Sequence, residues 1–118
     1  MPDTAEQILI RAAQLVEQGW CRFSAAQDDL GTPLRDPLSP NAVKWCAIGA
    51  LCRAAGGGFT EPNGLELEAE RRLGNYLMDR FGTAHLSHWN DGIAHDAIEV
   101  AAALRAAAAE HTKEVKSC

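Results

Sequence analysis

Residues 39–55 constrain the fold of this chain more than any other stretch. Across them only Lys44 and Arg53 carry charge. Ser39 suits a helix cap, and Pro40 suits the first helical position, where its missing N–H costs nothing. Read at helical period, Val43, Cys46, Ala47, Ala50, Leu51 and Ala54 share one face, while Trp45, Ile48 and Cys52 share the other. A helix that is apolar nearly all round must be buried. The expectation is a central helix over 39–55, wrapped by the rest of the chain, with its cysteines as packing material. Gly49 inside it costs about 1 kcal/mol against Ala, which predicts a neighbour approaching closely at Gly49 and Ala50.

Three further helical segments are available to wrap it. The first starts at Thr4, where Thr4 and Gln7 fit a capping box. Ile8, Leu9, Ala12, Leu15 and Val16 form its stripe, and Gly19 fits a left-handed residue ending it. The third covers about 65–81, with Ala69, Leu73, Tyr76, Leu77 and Phe81 inward and Gly82 at its end. Its Glu66 and Glu70 suit an exposed, dipole-favoured first turn. The fourth starts at Asp96, whose side chain and Glu99 make an aspartate version of the capping box. Val100, Ala101, Leu104, Ala107 and Ala108 face inward, and the end from His111 is polar and expected to fray.

Between the first two helices the period of 3.6 is lost. A small two-stranded ribbon is expected there, residues 21–25 against 32–35, turning at Asp28, Asp29 and Gly31. Pro33, Pro37 and Pro40 make the remainder irregular. The fold class is therefore mainly α: one compact four-helix domain over 1–118, with a core of about 4–110 and a tail of 111–118. At 118 residues, such a domain buries roughly 65% of its unfolded surface and needs neither metal nor disulfide to fold.

The formal net charge of −5 argues against nucleic acid as partner, because phosphate binding needs a basic face. The arginines are scattered. No apolar run approaches the ~20 residues of a membrane span, and Asp3 and Glu6 stand where a secretory signal would be basic. A cytoplasmic protein is expected, with Cys21, Cys46, Cys52 and Cys118 as reduced thiols.

Candidate chemistry is sparse. The Gly run at 56–58 follows a helix and lacks the Lys-Ser/Thr ending of a phosphate loop. Among Cys21, Cys46, Cys52, His85, His88, His95 and His111 no cysteine pair has metal-ligand spacing, and His85 with His88, three apart, is the only plausible ligand pair, so no metal or other cofactor is expected. Cys46 with His88 as base and Asp91 or Asn90 as orienting group has the residue types of a thiol nucleophile. Placed inside a helix among apolar neighbours, however, Cys46 reads as a small buried hydrophobe. The Trp89-Asn90-Asp91-Gly92 run reads as an anchored turn, with the indole N–H finding a backbone acceptor. Its functional counterpart is a small pocket walled by His88, Trp89, Asn90 and Asp91, since an aromatic wall with few polar groups is how ligand pockets look.

Taken in order, Gly19-Trp20, then Trp45-Cys46-Ala47-Ile48-Gly49-Ala50-Leu51, then Trp89-Asn90-Asp91 and the Glu99-Val100 helix start resemble a family of small bacterial and phage proteins of unknown function. The resemblance spans about residues 8–109. It implies a bacterial or phage origin and no particular activity. Family members often carry Pro-Gly-Arg-Thr after Trp-Asn-Asp; this chain has Gly92-Ile93-Ala94-His95-Asp96, in which Asp96 replaces the capping threonine and nothing replaces the arginine. The function expected is non-enzymatic binding of a protein partner or small ligand, and the apolar second and alanine-rich fourth helices also suit a homodimer. The alternative is a small hydrolase or transferase using Cys46 or His88 with Asp91.

Overall fold

The computed structural model describes residues 4–56 and 64–117, with side chains to residue 109. Helix α1 is Ala5–Gln18, followed by strands β1 (Ala26–Gln27), β2 (Pro33–Leu34) and β3 (Lys44–Trp45). Then come α2 (Ala47–Ala55), α3 (Gly64–Phe81), the short α4 (Leu86–His88), a π-helical turn over Trp89–Ile93, and α5 (Ala97–Ser117). The chain is mostly helical, as expected. The described residues hold five α-helices rather than four, and a three-stranded antiparallel sheet rather than a two-stranded ribbon.

The amphipathic stripes decide the packing. Ile8, Leu9, Ala12, Leu15 and Val16 of α1 are buried, as are Val100, Ala101, Leu104, Ala107 and Ala108 of α5. The slim alanine face brings α5 against α1, and Arg105 forms two hydrogen bonds to Glu17 along the seam. Both ends are capped as read: Thr4 Oγ1 accepts from the Gln7 N–H and Asp96 Oδ1 from the Glu99 N–H. The backbone of α5 is helical to Ser117, through the tail where fraying was expected. The buried residues of α2, and those of α5 as far as Ala108, are covered within the chain.

The second helix is the main correction. It begins at Ala47, not at Ser39 or Pro40, and Cys46 is its N-cap. Residues 39–45 instead form a turn, with the Ala42 N–H on Ser39 O, and then a strand. Tertiary hydrogen bonds decide the matter. The Trp45 N–H donates to Gly19 O, Trp45 O accepts from the Cys21 N–H, and the Val43 N–H donates to Gln27 O. Lys44 and Trp45 thus lie between β1 and the Trp20 segment, in register Ala26 with Trp45 and Gln27 with Lys44. The Trp45 indole donates to Pro37 O at 3.1 Å, and Arg53 donates to Pro37 O and Ser39 O, fastening the irregular stretch. Helix α2 is still buried, at seven of its nine residues. The hub, however, is α1, which packs on α2, α3, α5 and β3.

Two glycines sit where backbones touch. At Gly49 an added Cβ would lie 1.9 Å from Ala25 O, so the close neighbour expected there is the arch of residues 21–25. Gly19 is extended (φ −173°), not left-handed, and is glycine for the same reason: a Cβ would lie 2.2 Å from Val43 O. Gly57 and Gly58 of the glycine run lie outside the described residues.

Glu66, expected to be exposed, is buried at 3% exposure. Burial, the neighbouring Glu70 charge and a hydrogen bond with Glu70 push its carboxyl up to about 7. A raised acid favours the folded state while protonated, so that stability is complete below the ordinary carboxylate range and is lost as pH rises through about 7. Glu66→Gln, which mimics the protonated acid, is expected to melt higher than the parent at pH 8 and to match it near pH 4. Thermal melts across pH 4–8 check this; a variant less stable at pH 8 would contradict it.

Candidate functional site

The three short motifs singled out in the sequence meet at one side chain. Asn90, on the π-helical turn, is 1% exposed. Its Oδ1 accepts from the Trp20 indole Nε1 at 2.8 Å and from the Ala47 N–H at 3.0 Å. Its Nδ2 donates to Cys21 O at 3.2 Å and to Asp91 Oδ1 at 2.9 Å. The amide thus uses both donors and both acceptor sites, joins the Gly19-Trp20 segment to the start of α2, and satisfies one of the N–H groups a helix start leaves open.

Asp91 continues the link. Its Oδ1 also accepts from the Phe23 N–H at 2.9 Å. Phe23 has φ +68°, the one positive-φ non-glycine among the described residues, and the residue is 80% exposed. A bulky residue in this region is an outlier, and the Asp91 carboxylate is what holds it. Arg22 beside it turns the other way, stacking over the Trp20 ring at 4.7 Å and donating to Ala94 O.

Under this arch lies Cys46. Its Sγ accepts from the Gly49 N–H at 3.3 Å, the sulfur version of an N-cap. Its own N–H donates to Ala25 O. Helix N–H groups favour a thiolate, but burial opposes them and dominates, with the nearby Cys21 and Asp91 adding to it. The thiol is pushed up to about 11. Burial also raises the Cys21 thiol, whose Sγ donates to Ser24 O.

Two hollows open beside these groups. A cavity of about 260 Å³ is lined by Phe23, Ser24, Cys46, Ile48, Ser87 and Asp91, together with Ala25. A more open cleft of about 340 Å³ is lined by Phe23, Ser87, Asp91, His85, His88 and Gly92. Phe23, Ser87 and Asp91 are the wall they share. Cys46 and Asp91 therefore meet in one cavity, while His88 borders the next. Exposed His88 uses its backbone N–H to donate to His85 Nδ1. No described hydrogen bond joins Cys46, His88 and Asp91 to one another.

The sequence reading put Trp89 and Asn90 on a pocket wall; the structure places them beneath it. Trp89 is fully buried, with its ring 5.8 Å from that of Phe81. Its indole N–H, expected on a backbone acceptor, has none among the described residues. Phe23, Ser24 and Ser87 were not singled out from sequence. No local signal marks them, because the bond that shapes Phe23 comes from a residue 68 positions away. Among the described residues no three His, Cys, Asp or Glu side chains gather to hold a metal ion, and no helix is long and apolar enough to cross a membrane.

Fold and site together define a small helical domain in which a buried amide fastens a loop arch over a helix start, with one carboxylate facing a hollow. The chain belongs to the family of unknown function DUF6197, whose model matches residues 1–110. No curated protein and no solved structure matches it.

Replacing Asn90 by Ala strands the Trp20 indole, the Ala47 N–H and Cys21 O together, at about 1–3 kcal/mol for each buried group left unpaired. The expected loss is about 3 kcal/mol or more by denaturant titration. A loss below about 1 kcal/mol would show that water replaces the amide.

Proposed function

We propose that this chain is a non-catalytic binding domain that presents Phe23 and the hollows beside it to a protein segment or small ligand. The observation that carries the reading is the backbone of Phe23. A left-handed conformation at a non-glycine residue costs of order 1–3 kcal/mol, and such strain clusters at ligand-binding positions. Here the strain holds an aromatic ring in solvent, where it contributes little to the core. Phe23 also borders a third hollow, a groove of about 310 Å³ with Pro33, Leu34 and Arg35. The same reading sets the chain in the cytoplasm, where thiols stay reduced.

The rival reading, a small hydrolase or transferase using Cys46 or His88 with Asp91, draws on the meeting of Cys46 and Asp91 in one cavity. Against it stands the thiol itself. A thiol pushed up to about 11 is ionised in roughly one molecule in 10⁴ at pH 7, and only the thiolate attacks.

Two measurements separate these readings. Phe23→Gly removes the strain and little packing, so it is expected to raise the unfolding free energy by about 1 kcal/mol. A fall of that size would make Phe23 a structural residue and remove the observation on which the proposal rests. Alkylation of Cys46 in the folded protein at pH 7, followed by peptide mass, is expected to run roughly 100-fold slower than in the unfolded chain, from ionisation alone. Labelling faster than in the unfolded chain would favour the enzyme.

A further inference from the structure

The geometry points to a cationic ligand head, an alkylammonium or guanidinium group, seated in the cavity between Phe23, Cys46 and Asp91. This inference rests on the binding reading above and names the chemistry of what is bound.

Charge decides it. Asp91 is the one charged residue on the wall of that cavity. Its two described hydrogen bonds both fall on Oδ1, from the Phe23 N–H and Asn90 Nδ2. Among the described residues no basic side chain pairs with the carboxylate. Arg22, the cation within the arch itself, is committed to Ala94 O and the Trp20 ring. An unpaired carboxylate at a hollow attracts a cation, and that attraction is strongest where water is partly excluded.

An anion is disfavoured there, although a helix starts beneath. Of the N–H groups at that start, Ala47 is taken by Asn90 Oδ1 and Gly49 by Cys46 Sγ, and the Asp91 carboxylate on the same wall repels an anion. The remaining walls suit a cation carried on a short apolar stem. The Phe23 ring offers a face for cation–π attraction, Ile48 offers apolar contact, and the Ser24 and Ser87 hydroxyls accept hydrogen bonds. At about 260 Å³ the cavity lies below the ~300–1,000 Å³ of sites for drug-sized molecules. It fits one basic side chain or a small free amine. The outer groove suits a cation less, since Arg35 borders it and Asp91 does not, while the cleft beside His85 and His88 shares Asp91 but is more open to water.

The test uses amide NMR spectra of the full chain, titrated at low salt and neutral pH with four probes of similar size: n-butylammonium, n-propylguanidinium, butyrate and n-butanol. The expected result is saturable shifts at Phe23, Ser24, Cys46 and Ser87 with the two cations only. Asp91→Asn keeps an oxygen for the Phe23 N–H and Asn90 Nδ2 but removes the charge. With parent-like spectral dispersion it is expected to weaken cation binding at least ~10-fold, a loss of 1.4 kcal/mol. Short peptides carrying one lysine or arginine, compared with the free cations, separate the two sources: tighter binding by the peptide assigns a polypeptide partner, and equal binding a free amine. Shifts that persist unweakened in folded Asp91→Asn, or that appear equally with butyrate or butanol, overturn the cation assignment and leave the binding reading standing. No shift with any probe overturns both. If Asp91→Asn fails to fold, the salt dependence of the parent decides: cation shifts that weaken as salt is raised support the assignment, and shifts insensitive to salt overturn it.

Discussion

The amide of Asn90 is the constraint on which the rest of this structure depends. The arch after α1, the start of α2 and the π-helical turn are three stretches far apart in sequence. They are joined by three hydrogen bonds from one buried side chain, whose fourth goes to its neighbour Asp91. Only a short amide fits the role. A carboxylate has no donor for Cys21 O, and a longer amide would need its stem accommodated in a fully packed space. The π-helical turn, closed by the Ala94 N–H on Trp89 O, carries Trp89 into the core and Asn90 beneath the arch in succession. It leaves Asp91 half-exposed at the rim, one step from a residue that water barely reaches.

Much of the helical frame was legible in the sequence, because the signals are local. Thr4 and Asp96 cap within three residues of themselves, and the stripes of α1, α3 and α5 repeat at the helical period over many turns. The stretch 39–46 was not legible. A short apolar run suits a buried strand as well as a buried helix, and here the choice was made by partners at Gly19, Cys21, Ala25 and Gln27. That boundary changes the meaning of Cys46, which moves from a helix interior to a helix cap facing a cavity. Gly19 carries the same lesson. A glycine after a helix suggests a left-handed end, but the carbonyl of Val43, more than twenty residues on, is what excludes a side chain. Of the site, Asp91 and Cys46 could be named from sequence because their residue types are chemically suggestive. Phe23 could not, since its strain exists only once Asp91 is folded against it.

The site has one unspent charge, and both functional readings turn on it. At the start of α2 the Ala47 N–H is taken by the Asn90 amide and the Gly49 N–H by Cys46 Sγ. What remains is the negative carboxylate of Asp91 at the rim. That charge makes the cavity favourable to a cation, and the same charge raises the Cys46 thiol further beyond what burial alone does. A site cannot be tuned both ways by one group. A cavity that gathers positive charge to an aspartate is for that reason a poor place to hold a thiolate, unless the cation is bound first. Ligand recognition, as proposed, and thiol chemistry would be competing uses of one carboxylate, and the lack of a basic partner for Asp91 among the described residues supports recognition.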